Sequence, residues 1–178
     1  MLTLLHNFWF IQAIGGVALV FVILAWNARE RKNIFLLQSI NLVLFAIHYW
    51  LLSAEAGAAM CLVVLARNVV FSQKGEKKWA SSPLWLYAFI IISVGVLGIF
   101  WEGWTTILPV VAVIISMYAM WKDNPADMRW YMLISCLVWI PYNTIAVPSL
   151  SGLFSQLIGI AGLLLGMYRL DRKKPVSN

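Results

Sequence analysis

The placement of the basic residues constrains this chain more than any other feature. Long apolar blocks alternate with short loops, and only every second loop carries Lys or Arg. The loop after the first block holds Arg29, Arg31 and Lys32, and the loop after the third holds Lys74, Lys77 and Lys78. Lys122 follows the fifth block, Arg129 opens the sixth, and Arg169, Arg172, Lys173 and Lys174 follow the seventh. The intervening loops and the N-terminal residues carry neither, and two of those loops carry Glu55 and Glu102. All but Arg67 of the 13 basic residues therefore fall on one side. A helix of ~20 apolar residues crosses a ~30 Å hydrocarbon core, and short basic loops stay in the cytoplasm. The pattern predicts membrane spans near 8–26, 34–52, 57–72, 84–100, 104–121, 130–147 and 151–168. It puts the N-terminus outside and the tail, 169–178, in the cytoplasm.

Composition excludes the other classes. Charged residues make up 11% of the chain, against roughly 25% in soluble domains, so a soluble fold is ruled out. The net charge of +6 is no nucleic-acid signature, because the charges sit in loops that orient the spans. Ten Trp suit anchoring at the two interfaces, and the partners expected are membrane lipids. Cys61 and Cys136 lie inside apolar blocks without companion ligands, so they read as small core residues with no metal or disulfide. Residues 1–25 lack a basic start and carry an apolar run too long for a signal peptide, which predicts a retained span.

A shift of 95 residues superposes the first three spans and both of their loops on the last three, without a gap. Trp26 falls on Trp121, His48 on Asn143, Gly57 on Gly152 and Ala66 on Ala161. A three-span unit is odd, so one linking span restores its orientation, and the two units run parallel. The expected plan is a single all-α membrane domain of seven transmembrane helices, arranged 3+1+3. Its first repeat is 8–72, its linker helix 84–100 and its second repeat 104–168.

Polar residues inside the spans mark candidate sites. Gln38, Asn41, Phe45 and His48 recur at helical spacing and share one face. Lipid would leave those groups unsatisfied, so the face turns inward, either to hydrogen-bond other helices or to hold a solute. Arg67 is the charged residue well inside a span, and no acidic residue shares its depth. A central arginine costs about 2.5–3.5 kcal/mol on insertion scales. It either snorkels to the cytoplasmic interface or, with Asn68, faces a wet cavity. Trp139 and Asn143 flank Pro141, which frees a carbonyl one turn earlier. Gly152, Ser155, Gly159, Gly162 and Gly166 form a small-residue stripe for close helix packing, with Gln156 beside it. Pro109, aligned with Ile14 beside Gly15 and Gly16, gives each unit a weak point near its outer end. With Pro141 these are candidate hinges, although static kinks are commoner. The sequence contains no phosphate loop, metal-ligand cluster or nucleophile elbow, so no enzyme is expected.

These residues together resemble the YgjV-like bacterial inner-membrane proteins, distant relatives of the SWEET and SemiSWEET sugar transporters and the PnuC vitamin transporters. The likeness runs over nearly the whole chain. It rests on His48 with Tyr49-Trp50-Leu51-Leu52, Gly57, Ala66-Arg67-Asn68, Leu108-Pro109, Arg129, and Trp139 to Asn143 with Ser149 and Gly152. The resemblance implies a bacterial inner-membrane location and agrees with the 3+1+3 plan. The sugar transporters carry Pro-Gln in the first helix of each repeat. Here Val110 follows Pro109, the first span has no proline, and Gln156 stands where family members often have Glu.

The expectation is a facilitator or transporter of a small polar or aromatic-ringed metabolite, with its site between the two units and no cofactor. His48, Asn143, Gln156 and Asn41 would hydrogen-bond the solute, Trp139 would stack on it, and Arg67 and Asn68 would guard the cytoplasmic side. The alternative is a non-transporting membrane protein that binds a partner or regulates one. Association with further copies of the chain is left open.

Overall fold

Helix α1 (Leu2–Asn27) is the longest element of the computed structural model, which describes residues 2–27, 31–122 and 124–171. It is followed by α2 (Arg31–Leu51), α3 (Glu55–Phe71), α4 (Leu84–Ile99), α5 (Ile107–Trp121), α6 (Pro125–Pro141) and α7 (Leu150–Gly166). Among the described residues there is no strand. Short 3₁₀ turns precede α4 and α5, and wide π-helical turns follow α6 and α7. Arg29, Arg172, Lys173 and Lys174 of the sequence pattern, and the tail beyond Asp171, lie outside the described residues.

The helices match the predicted spans to within a few residues, except at the starts of α1 and α6 and at the end of α6, which stops at Pro141 and gives way to a π-helical turn through Ala146 where the span was expected to run to 147. Helix α6 begins at Pro125, five residues before the expected 130. The Asn124 side chain accepts from the Ala126 N–H, proline occupies the first turn where it removes no bond, and Asp127 complements the helix dipole. Helix α1 begins well before the expected residue 8. By length and composition alone, Asn7–Ala25, Trp104–Trp121 and Leu150–Arg169 can cross a membrane. The shorter apolar stretches Phe35–Leu51 and Leu84–Ile99 fall below that length. Helices α3 and α6, of 17 residues each, carry Arg67, Asn68 and Ser135 into the interior.

Each helix packs on its neighbour in sequence, from α1 to α7. Helix α1 also packs on α7, and α3 on α5. Exchanging α1 with α5 and α3 with α7 carries one of these seams onto the other. The ends of α3 and α5 are pinned together by Lys74, whose ammonium donates to the Trp121 carbonyl at 2.6 Å and sits 4.3 Å over its ring. The start of α6 lies against the end of α7, where Arg129 touches Gly166. Lys74, Lys122, Arg129 and Arg169 therefore gather at one end of the bundle, the basic end. Helix α4 stands outside the seams. Its inner face, with Leu86, Phe89 and Val96, packs against Phe71, Val113 and Met117. Its outer face leaves Leu84, Ile91 and Ile99 exposed, the surface a helix offers to hydrocarbon.

Candidate functional site

Between the two seams lies a cavity of about 190 Å³. Six helices line it, and α4 contributes nothing. At its deep end are Phe45 and Tyr49 from α2 and Trp139 from α6. From there it runs toward the basic end, past Asn41, Arg67, Asn68, Ser116, Ser135, Ser155 and Gln156, to Ala25, Gln38 and Met120. Five of the seven residues expected to bind or guard a solute line it: Asn41, Arg67, Asn68, Trp139 and Gln156.

Arg67 is 4% exposed and Asn68 is 2% exposed. The guanidinium grips the amide oxygen of Asn68, with Nη2 at 2.7 Å and Nε at 3.3 Å. Nη1 donates to the Ser116 hydroxyl at 3.0 Å, and that hydroxyl donates in turn to the Val113 carbonyl at 2.8 Å. The Phe71 ring lies 5.8 Å from the guanidinium carbon. Among the described residues no carboxylate pairs with this charge, and the Asn68 amide nitrogen is buried without an acceptor. The site holds a buried cation and surplus donors, so it lacks acceptor oxygen. Asn41 uses its amide nitrogen to tie α2 to the Ala18 carbonyl at 2.8 Å.

The deep end is an aromatic partition. Tyr49 stacks on Trp139, their planes 14° apart, and Tyr49 and Tyr142 have ring centroids 6.0 Å apart. Beyond Tyr142 opens a second cavity, about 210 Å³, lined from the loops of the opposite end by Ser53, Glu102, Thr105 and Thr106. Tyr49 lines the first cavity and Tyr142 the second, so the partition is these two rings in contact. Gly57 permits it, since an added Cβ would lie 2.7 Å from the Tyr142 hydroxyl and 3.2 Å from Tyr49.

His48 and Asn143 do not line either cavity. His48 is wholly buried. Its Nδ1 meets the Ile11 carbonyl at 2.9 Å and must carry the proton, because a carbonyl only accepts. Its Nε2 then accepts from the Ser149 hydroxyl at 2.8 Å. Ser149 also caps α7 by accepting from the Gly152 N–H at 3.0 Å. Gln12 completes the knot, donating to the Pro148 carbonyl at 2.9 Å and accepting from the N–H and hydroxyl of Ser151 at 3.1 Å each. Helices α1, α2 and α7 are thereby tied at the end away from the basic loops. Asn143 is likewise spent: its Oδ1 accepts from Tyr49 at 2.7 Å and its Nδ2 donates to the Trp139 carbonyl at 2.9 Å.

The candidate hinges fall in three settings. Pro109 is fully buried in the first turn of α5, where proline is tolerated without a kink. Pro141 ends α6 and leads into the π-helical turn at 142–146. There the Asn143 amide and the Thr144 hydroxyl donate to the carbonyls of Trp139 and Ile140, while the carbonyl that loses its helical N–H to Pro141 is that of Leu137, one turn earlier. Gly15 provides close approach, because an added Cβ would collide with Ser151 and lie 3.0 Å from His48, whereas Gly16 meets open space.

A buried polar interior wrapped in an apolar surface is the anatomy of an integral membrane protein, and residues 9–174 match the family described as Imp-YgjV, bacterial inner membrane protein. The chain belongs to that family. Inner membrane protein YgjV of Escherichia coli (strain K12) is 22% identical over 137 residues, covering 76% of this chain and 71% of that protein. No solved structure matches the chain. The matched residues include those that line both cavities and form the knot.

The sequence left several lining residues unmarked. Ser116 and Ser135 are single serines in apolar runs, a pattern common in membrane helices, and their inward aim follows only from the packing. Gln12 carried no signal either, since its partners are 136 and 139 residues away. Tyr49, prominent in the Imp-YgjV resemblance, becomes the residue that joins the cavity wall to Asn143.

Proposed function

We propose that this protein carries a small polar or ring-bearing solute across the bacterial inner membrane. The observation that carries the reading is the pair of cavities on opposite sides of one aromatic layer. A carrier needs a site that one side reaches while a thin closure blocks the other. Here the 190 Å³ cavity is the site, and Tyr49, Tyr142 and the His48 knot are the closure. In this reading 8–72 and 104–168 rock against each other along the α1–α7 and α3–α5 seams, with the basic end in the cytoplasm. The solute rests against Trp139 and Tyr49, with Asn41, Gln156, Arg67 and Asn68 as its polar partners.

Two labelling sites test this on a background of Cys61→Ala and Cys136→Ala. Gln38→Cys, in the first cavity, should react with a membrane-impermeant maleimide from the cytoplasmic face alone. Thr105→Cys, in the second, should react from the opposite face alone. Proteoliposomes should take up a tracer from a panel of sugars, nucleosides and small organic acids. Labelling of both positions from the same face removes the topology. Failure of every tracer favours a non-transporting membrane partner or regulator.

A further inference from the structure

We infer that the solute is an anion, and that its acid group sits on Arg67 and Asn68 while its apolar body lies against Phe45, Tyr49 and Trp139. This rests on the carrier reading and specifies its substrate class. The argument starts from hydrogen-bond supply. A guanidinium has five N–H donors and no acceptor. Three donations are made within the protein, two to Asn68 and one to Ser116. Both acceptors are neutral, so the charge itself is uncompensated among the described residues.

Asn68 sharpens the point. Its oxygen must face Arg67, because the guanidinium only donates, so turning the amide over cannot relieve the site. The amide nitrogen is thereby left with no acceptor, in a residue only 2% exposed that lines the cavity wall. A buried donor without an acceptor and a buried cation without a counter-ion are each costly. Here they are adjacent, on consecutive residues of one helix. One group of two or three oxygens bearing a negative charge satisfies both. A carboxylate or a phosphate monoester has that chemistry, and a neutral sugar hydroxyl supplies no charge.

The rest of the wall sets the size and character of the body. The volume, about 190 Å³, suits a compact solute. The rings of Phe45, Tyr49 and Trp139, with Tyr49 stacked on the other two, line the far end. Among the described residues no acidic side chain lines this cavity to repel an anion; Glu102 lies across the partition, in the second. The basic end, with Lys74, Lys122 and Arg129, draws anions toward the cytoplasmic mouth.

The test uses the full chain in detergent, with thermal unfolding as the readout and four probes: benzoate, phenyl phosphate, and the neutral benzamide and benzyl alcohol. Benzoate or phenyl phosphate should raise the Tm in a saturable way, and the neutral pair should not. Arg67→Gln should abolish the shift, and Arg67→Lys should keep part of it. Asn68→Asp supplies the missing carboxylate from the protein itself. It should raise the Tm without any probe and remove the response to both anions, which keeps the inference testable if Arg67→Gln fails to fold. Equal shifts with benzamide, or an anion response that survives Asn68→Asp, overturn the inference. The same comparison in phosphatidylcholine micelles, with and without phosphatidylglycerol, separates the sources of the acid group. Stabilisation by phosphatidylglycerol alone assigns it to a lipid headgroup and overturns a solute anion. Uptake of a neutral tracer that Arg67→Gln leaves intact refutes the anion while the carrier reading stands; no uptake of either kind refutes the carrier.

Discussion

His48 and Arg67 are both buried polar side chains in membrane-spanning helices, yet their surroundings differ in kind. Both nitrogens of His48 are used, and the groups around it are used in turn: Ser149 caps α7 and Gln12 holds Ser151. Arg67 donates to two neutral oxygens, and among the described residues its charge is unmatched and the neighbouring amide nitrogen has no acceptor. A polar group in hydrocarbon is tolerated when the protein completes it. One that the protein leaves incomplete is held ready for something else. Burial alone does not separate a fastening from a site; the balance of donors and acceptors does.

The largest effect expected from breaking this contrast is at the knot. His48→Ala removes the ring that joins α1, α2 and α7 and strands the Ser149 hydroxyl in a cavity. It should destabilise the protein by about 3–5 kcal/mol, the range for a large-to-small change that also unpairs buried polar groups. Thermal unfolding in detergent measures it. A loss below about 1 kcal/mol would mean that the knot is no fastening.

Next in size is Gly152→Ala. An added Cβ would run into the Asn143 amide and the Ser149 hydroxyl together, so both the partition and the cap must shift. The expected cost is about 1–3 kcal/mol, as for overpacking. Gly162→Ala is the control on the same helix. It meets nothing within 4 Å, and its expected gain is the helix propensity of alanine, up to about 1 kcal/mol. Equal effects at the two positions would remove the close approach as the cause.

These residues also show how far the sequence could be read. The seven helices and the basic side were legible because loop charge and apolar length are local properties. Interior polarity was legible too: His48, Asn143 and Arg67 are all buried, as polar groups excluded from lipid must be. The division of labour among them was not. Whether a buried polar group is satisfied depends on partners far along the chain, 101 residues away for His48 and Ser149, 94 for Tyr49 and Asn143. Helical periodicity can tell which way a side chain faces, but not what waits there. Arg67 stood out for a local reason, the lack of any acid at its depth, and the structure leaves that charge unpaired among the described residues.

The third prediction reverses the sign of the first. Arg67→Met removes a buried charge that none of the described residues compensates, and the methionine stem keeps most of the volume. The unliganded protein should be more stable by about 1–2 kcal/mol, because unpaired buried charges cost more than the apolar groups that replace them. A loss of comparable size would place Arg67 beside His48 as a fastening, and the contrast would vanish.

The smallest effect lies in the turn between α2 and α3, at the completed end. Ser53 has φ 57°, in the left-handed region that glycine occupies freely. The turn is otherwise satisfied, since the Ala54 N–H reaches the Tyr49 carbonyl at 2.8 Å and the Ser53 N–H the Trp50 carbonyl at 3.0 Å. This is the bonding of a Schellman helix end, whose left-handed position is usually glycine. Ser53→Gly keeps both bonds and relieves the backbone, at the cost of more freedom in the unfolded chain. The net gain should be about 0.5 kcal/mol. The same variant should leave any response to benzoate or phenyl phosphate unchanged, because it touches neither Arg67 nor the first cavity. A stabilised turn that nevertheless weakened that response would couple the two ends of the bundle, as a closure that must open in order to bind.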